Sequence, residues 1–147
     1  MNSAIERLLT LRAADVMSKG VIFVSVKDTM AAAARKLREH SISGLPVVDA
    51  DQRCTGVLSA RDFLEKQPDT RSSGDTPESR TIDQDPVSRH MSPTVHSVAA
   101  NESLLNAARM MCANHIHRLP VLDADRRPIG IITALDIVAA LVNAIEE

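Results

Sequence analysis

Ser41-Ile42-Ser43-Gly44-Leu45-Pro46-Val47-Val48-Asp49-Ala50-Asp51 is answered, without a gap, by His115-Ile116-His117-Arg118-Leu119-Pro120-Val121-Leu122-Asp123-Ala124-Asp125. Working outward, Gly56-Val57-Leu58-Ser59-Ala60-Arg61-Asp62 returns as Gly130-Ile131-Ile132-Thr133-Ala134-Leu135-Asp136, and Met17-Ser18 returns as Met91-Ser92. The spacing is constant at about 74 residues, and a repeat decides architecture ahead of any local pattern. Two copies of one small unit imply a pseudo-symmetric pair. A cleft between the copies then also comes in twos.

Each copy reads in the same order. Val21 to Val24 and Val95 to Val98 are short strand candidates. Asp28 or Thr29, and Asn101 in the second copy, are good helix N-caps, followed by helices to about His40 and Asn114. Leu104, Leu105, Ala108 and Met111 recur at helical spacing, while Ala31 to Ala34 supply helix formers beside Met30 and Leu37. Leu45 to Asp49 is strand-like, with Pro46 expected at an edge or a strand start because it cannot donate to a ladder. A polar turn over Ala50 to Arg53 leads to a hairpin partner, Thr55 to Leu58. A second helix begins near Ser59 and near Thr133. The unit is strand–helix–strand–strand–helix, an α+β arrangement.

The remainder sets the boundaries. Ser3 and Glu6 fit a capping box opening a helix over Ala4 to Thr10, and Leu11 to Met17 looks like a further helical turn. Gln67 to Pro86 holds Pro68, Pro77 and Pro86 with almost no large apolar residue, and reads as a mobile linker. The expected organisation is an N-terminal helix over residues 1–10, a first repeat over 11–66, a linker over 67–86 and a second repeat over 87–147.

Bulk composition narrows the function. The 147 residues are 44% hydrophobic and 24% charged, the balance of a globular chain. A net charge of −2 provides no basic field for a polyanion, and Phe23 and Phe63 are the whole aromatic supply. Nucleic acid is a poor partner for such a surface. Cys54 and Cys112 stand apart from any CxxC pair, and Met1 to Arg7 lacks the apolar core of a secretory signal, so a reduced, cytoplasmic setting is expected. The most apolar tail segment, Ile137 to Ile145, is far short of the ~20 residues that span a bilayer.

Two motifs carry chemistry. The first is Gly-x-x-[Ser/Thr]-x-x-Asp, at Gly56/Ser59/Asp62 and Gly130/Thr133/Asp136. A strand ends, a hydroxyl opens a helix, and a carboxylate follows within one turn. Helix-start amides suit a phosphate, the hydroxyl can donate to it, and the carboxylate can accept from a ribose hydroxyl. The competing explanation is a plain capping box, with Asp in the place usually held by Glu or Gln. The second motif is His117-Arg118 leading into Leu119-Pro120-Val121, where the planar guanidinium of Arg118 matches phosphate. The first copy has Ser43-Gly44 there, so the two sites are chemically unequal and the basic one should prefer more phosphates. The competing explanation for His117 and Arg118 is solvated surface charge. Cys112, His115 and His117 could be joined as metal ligands, but they lack the fourth ligand of a structural zinc site, so no metal is expected. No Gly-x-Ser-x-Gly elbow, Walker loop or His-Glu-x-x-His helix occurs, so no catalysis is expected.

Asp15-Val16-Met17-Ser18, His90-Met91-Ser92-Pro93, both Leu-Pro-Val blocks and both Gly-x-x-[Ser/Thr]-x-x-Asp blocks together make each repeat resemble the CBS domain, over Leu11 to Lys66 and Val87 to Leu141. The resemblance implies a tandem pair packed about a pseudo-twofold axis, with two clefts, and commonly a homodimer. It implies an adenosine-containing ligand (AMP, ADP, ATP, NAD or S-adenosylmethionine) and no permanently bound cofactor. By the family pattern Asp62 and Asp136 hold ribose, Ser59 and Thr133 hold phosphate, and the backbone near Val21 and Thr94-Val95 lines the adenine pocket. His117 to Val121 is similar to the phosphate-contacting stretch of the AMP-activated protein kinase gamma subunit, a pattern from which Ser43-Gly44 departs. The implied function is a regulatory ligand sensor that signals to a separate effector protein. The alternative is a dimerisation scaffold without a ligand.

Overall fold

The fold is given by a computed structural model that describes residues 3–65 and 82–146. In chain order its elements are α1 (Ser3–Thr10), α2 (Ala13–Val16), β1 (Val24–Ser25), α3 (Met30–Glu39), β2 (Gly44–Val48), β3 (Cys54–Ser59), α4 (Ala60–Glu65), α5 (Val87–His90), β4 (Val98–Ala99), α6 (Leu104–Asn114), β5 (Arg118–Leu122), β6 (Pro128–Thr133) and α7 (Ala134–Glu146). The chain forms two compact units. One consists of Met1–Val21 with His96–Glu147, the other of Ile22–Val95. The compact units therefore divide the chain at points other than the sequence repeats do.

Each unit holds a three-stranded sheet, β1-β2-β3 or β4-β5-β6, parallel in its first pair and antiparallel in its second. The mixture of helix and strand is the α+β arrangement expected of the repeats. In the unit of residues 22–95, Met30, Ala33 and Leu37 form the buried stripe of α3 and meet Val24, Leu45, Val47 and Leu58 of the sheet. In the other unit Ala107 and Met111 of α6 meet Val98, Leu119, Val121 and Ile132. Both long helices start on a side-chain cap. Thr29 Oγ1 accepts from the Ala32 amide at 3.1 Å, and Ser103 Oγ from the Asn106 amide at 3.0 Å. The expected cap at Asn101 is corrected to Ser103, which lies one repeat length after Thr29.

The hairpins are set by aspartates. Asp49 Oδ1 accepts from the amides of Asp51 (2.9 Å) and Arg53 (3.0 Å), and Asp123 Oδ1 from those of Asp125 and Arg127 (both 2.9 Å). Such Asx turns fix loop length and hence strand register. Thr55 and Ile129 are the extra residues of matching bulges.

Three local expectations need correction. The first strands lie later than expected, at Val24–Ser25 and Val98–Ala99. The amide of Val21 is taken by the Lys19 carbonyl at 2.8 Å, a local bond that keeps it out of the ladder. Helix α1 begins at Ser3 itself, so Ser3 is a helical residue. Pro46 and Pro120 sit inside the middle strand, neither at an edge nor at a start. Their register resolves the paradox. Pro46 faces Val57, and both polar backbone groups of Val57 are bonded outward to Ser92. The pair is thus of the non-hydrogen-bonded kind, and the proline nitrogen points toward β1, whose pairing begins only at Val47. No ladder bond is lost. Pro120, opposite Ile131, repeats the arrangement with Ser18.

Those outward bonds reveal how each unit is closed. Ser92 exchanges backbone bonds with Val57 at 2.9 and 3.0 Å, and Ser18 exchanges them with Ile131 at the same distances. The Met-Ser that opens each sequence repeat thus lies along the last strand of the other repeat. Gly56 and Gly130 make room for it. A Cβ on Gly56 would stand 2.7 Å from both Met91 Sδ and the Ser92 carbonyl oxygen, and one on Gly130 would overlap Met17 Sδ.

The linker reading for residues 67–81 lies outside the described residues. Its last residues, Ile82 to Pro86, are packed, which corrects that part of it. Ile82 is buried in the core, and the carbonyls of Asp83 and Asp85 accept from the first amides of α3, those of Ala31 and Met30, both at 2.9 Å. Asp85 also holds the buried His90, Oδ2 to Nε2 at 2.7 Å. In the other unit the Leu104 amide likewise finds the Leu11 carbonyl at 2.9 Å, and the Arg7 guanidinium donates to the Ala144 carbonyl at the end of α7.

Gly56→Ala is expected to lower stability by about 1–3 kcal/mol, because the Ser92 carbonyl cannot retreat without breaking its bond to Val57. A lower urea midpoint at unchanged slope is the readout. Thr55 Oγ1 is buried without a hydrogen-bond partner among the described residues, where the other repeat has Ile129. Thr55→Val should therefore raise stability, by about 1 kcal/mol in the same measurement.

Candidate functional site

Strand β6 ends at Thr133 and α7 starts at the next residue. Asp136 Oδ2 accepts from the Thr133 amide at 2.8 Å, and the Asp136 amide donates to Thr133 Oγ1 at 3.1 Å. This reciprocal pair is a capping box with Asp as its acid. The Ala134 amide is taken by the His117 carbonyl at 2.9 Å. The cap therefore forms as the alternative reading requires, yet it leaves functional groups over. The Thr133 hydroxyl accepts in the cap and keeps its own proton to donate. Asp136 Oδ1 accepts no hydrogen bond among the described residues.

Arg118 completes the cluster. It stands opposite Thr133 across the β5–β6 ladder, which puts the two side chains on one face of the sheet. It is half-buried. Burial pulls its guanidinium below the ordinary arginine range, and the negative charge of Asp136 acts in the opposite sense. It remains a cation at any physiological pH. A hydroxyl donor, a carboxylate acceptor and a fixed cation thus converge at one strand end. His117, by contrast, contributes its carbonyl to the helix start and leaves an exposed ring.

The other unit repeats the frame without a counterpart of Arg118. Asp62 Oδ2 accepts from the Ser59 amide at 2.8 Å and lies 3.5 Å from Ser59 Oγ, while the Ala60 amide bonds the Ser43 carbonyl at 2.8 Å. Gly44 occupies the position opposite Ser59 that Arg118 holds opposite Thr133. Val21 is the last residue before the chain leaves the unit of Thr133 and Asp136, and Thr94-Val95 are the last of the unit of Ser59 and Asp62. Val21 and Val95 are half-buried and Thr94 is exposed, its amide on Ser92 Oγ at 3.3 Å.

Sequence reasoning missed the work of the motif glycines, which seat Met17 and Met91. The recurrence of Met-Ser at the repeat spacing was the available signal. Cys112 and His115 are both exposed, His115 in the left-handed conformation (φ 53°) that ends α6. No group of three or more His, Cys, Asp or Glu among the described residues is placed to hold a metal ion. No helix among the described residues is long and apolar enough to cross a membrane.

Comparison with known families decides the matter. The family model of the CBS domain matches residues 13–69 and again 87–143. This chain belongs to the CBS-domain family, as a tandem pair. Hypoxic response protein 1 of Mycobacterium tuberculosis is 33% identical over 125 residues, which cover 85% of this chain and 81% of that protein. A crystal structure of Hypoxic Response Protein I with two coordinated zinc ions superposes with a TM-score of 0.72 at 29% identity, over 88% of this chain and 98% of that one. Inosine-5'-monophosphate dehydrogenase of Methanocaldococcus jannaschii is 33% identical over 126 residues. That match takes in 86% of this chain but spans only 23% of the dehydrogenase. CBSX2, solved in complex with AMP, aligns with a TM-score of 0.78 at 28% identity, covering 92% of this chain and 99% of that one.

Asp136→Ala should cost about 1 kcal/mol in the absence of any ligand, the worth of a lost helix cap, measured by thermal or chemical unfolding.

Proposed function

We propose that this CBS pair is a regulatory sensor of an adenosine-containing ligand and not an enzyme. The observation that carries the reading is the convergence of Arg118, Thr133 and Asp136. Asp136 Oδ1 accepts from a ribose hydroxyl, while the Thr133 proton and the Arg118 guanidinium serve a phosphate. The AMP complex of CBSX2 supports the ligand class. AMP, ADP and ATP lead, with NAD and S-adenosylmethionine in the same class. His117 widens the basic rim, and Val21, Thr94 and Val95 supply the adenine-lining backbone. Ser59 and Asp62 form a second mouth with Gly44 in place of Arg118, which favours a ligand carrying less phosphate.

Ligand binding regulates by favouring one of two conformations, and a separate effector protein reads the outcome. The protein works in the cytoplasm, in keeping with Cys54 and Cys112 lying outside any disulfide among the described residues, and as a homodimer. A second reading is a ligand-free dimerisation scaffold. It is favoured by the caps, which satisfy both motifs without any ligand.

Calorimetric titration with AMP, ATP, NAD and S-adenosylmethionine separates the two. At least one ligand is expected to bind and to raise the unfolding free energy by about 2.7 kcal/mol at a hundred times its Kd. Asp136→Ala should abolish that ligand-dependent gain, beyond its small cap cost. Silence from all four up to about 1 mM leaves only the scaffold.

A further inference from the structure

Helix α1 is lightly held. None of its eight residues is buried, and Ile5 (51% exposed) and Leu9 (54%) stand in solvent. It is shorter than the about 12–15 residues at which an isolated helix becomes even marginal in water, so it owes its order to the surface it rests on. That surface is α6 and α7. The chain just after α1 is fixed, because the Leu11 carbonyl accepts from the Leu104 amide at 2.9 Å and Ala13 is fully buried. Farther back, the Arg7 guanidinium donates to the Ala144 carbonyl. This second anchor serves α7 as well. Ala144 lies in the last turn of α7, where carbonyls find no amide within the helix. That turn has no basic residue and carries Glu146, whose charge opposes the helix dipole. Arg7 brings the missing cation from another helix. The opposite end of α7 is the capped start at Thr133 and Asp136. One helix of 13 residues, about 20 Å long, thus joins the proposed ligand site to this latch.

We propose that α1 is a strap hinged where Thr10 meets Leu11, either docked or lifted, and that a phosphate-bearing ligand at Arg118, Thr133 and Asp136 holds it down through α7. An anion at the first turn of α7 and the Arg7 cation at its last turn favour the same complete helix. Each therefore favours the other, and the coupling runs in both directions. Lifting α1 takes away the cation and one of the elements packed along α7. The strap is the two-state element that a ligand biases, and its docked and lifted forms are what an effector distinguishes. The coupling rests on the sensor reading given above. The hinge and the latch do not.

Hydrogen exchange of the full chain, read amide by amide, tests both parts. Without ligand, the amides of Arg7 to Thr10 should exchange at least about a hundredfold faster than those of Ala107 to Met111 in α6. Arg7→Ala should speed α1 about tenfold further, and Arg7→Lys, which keeps the cation, should do so less. Unchanged exchange in α6 shows that these variants are folded. Saturating AMP or ATP should slow the α1 amides at least about threefold, and that slowing should vanish in Arg7→Ala. Amides of α1 that open only as slowly as those of α6 overturn the strap. A nucleotide that binds by calorimetry and leaves α1 exchange unchanged overturns the coupling alone. Failure of both nucleotides to bind overturns the coupling together with the sensor reading, while the ligand-free exchange still decides the strap.

Discussion

Four backbone hydrogen bonds hold this architecture to its shape, two between Ser92 and Val57 and two between Ser18 and Ile131. They use the outward-facing polar groups of β3 and β6, which would otherwise be open strand edges at those points. Each pair needs a strand residue whose neighbour has no side chain, hence Gly56 and Gly130 under Met91 and Met17. Each also needs a partner strand that gives up nothing on its other side. Pro46 and Pro120 meet that need, since they face Val57 and Ile131 in pairs where no bond is expected. Glycine, proline and Met-Ser are three parts of one device, written twice.

The same frame is filled differently in its two copies. Arg118 answers Thr133 where Gly44 answers Ser59. Ile129 fills the bulge position where Thr55 has a buried hydroxyl without a partner among the described residues. His90, tied to Asp85, takes the place that Val16 has in the first copy. Under the proposed function, a cation beside a capped helix start changes which anions settle there and leaves the backbone frame unchanged.

Much of this was legible in the residues. Met30 and Leu37, with Leu104 and Met111, are local patterns, and local patterns announce helices, although in the second helix Ala107 completes the buried face and Leu105, expected on it, is exposed. The first hairpin turn could be read from the polar run Ala50 to Arg53, although Asp49, expected in the strand, is the residue that sets it. The caps at Ser59/Asp62 and Thr133/Asp136 were equally local. What could not be read was long-range. Met17 meets Gly130 across more than a hundred residues, and no pattern near either announces the other. The first strands slipped because two-residue strands contain almost no periodicity, and their position is dictated by Val47-Val48 and Val121-Leu122. Asn101 lost the cap to Ser103 because cap preference is a residue-type tendency, whereas the bond depends on where the helix docks. The convergence of Arg118 on Thr133 followed from register, which the turn supplied and the strand sequence alone did not.

The crossed Met-Ser strands have a further consequence for how this chain can be divided. A fragment ending at residue 65 holds the start of one unit and most of the other, and the fragment from residue 82 holds the remainder of both. Neither piece owns a finished sheet edge. Each half carries the Met-Ser lath that lines the last strand of its counterpart, so a cut in the intervening segment divides both units at once.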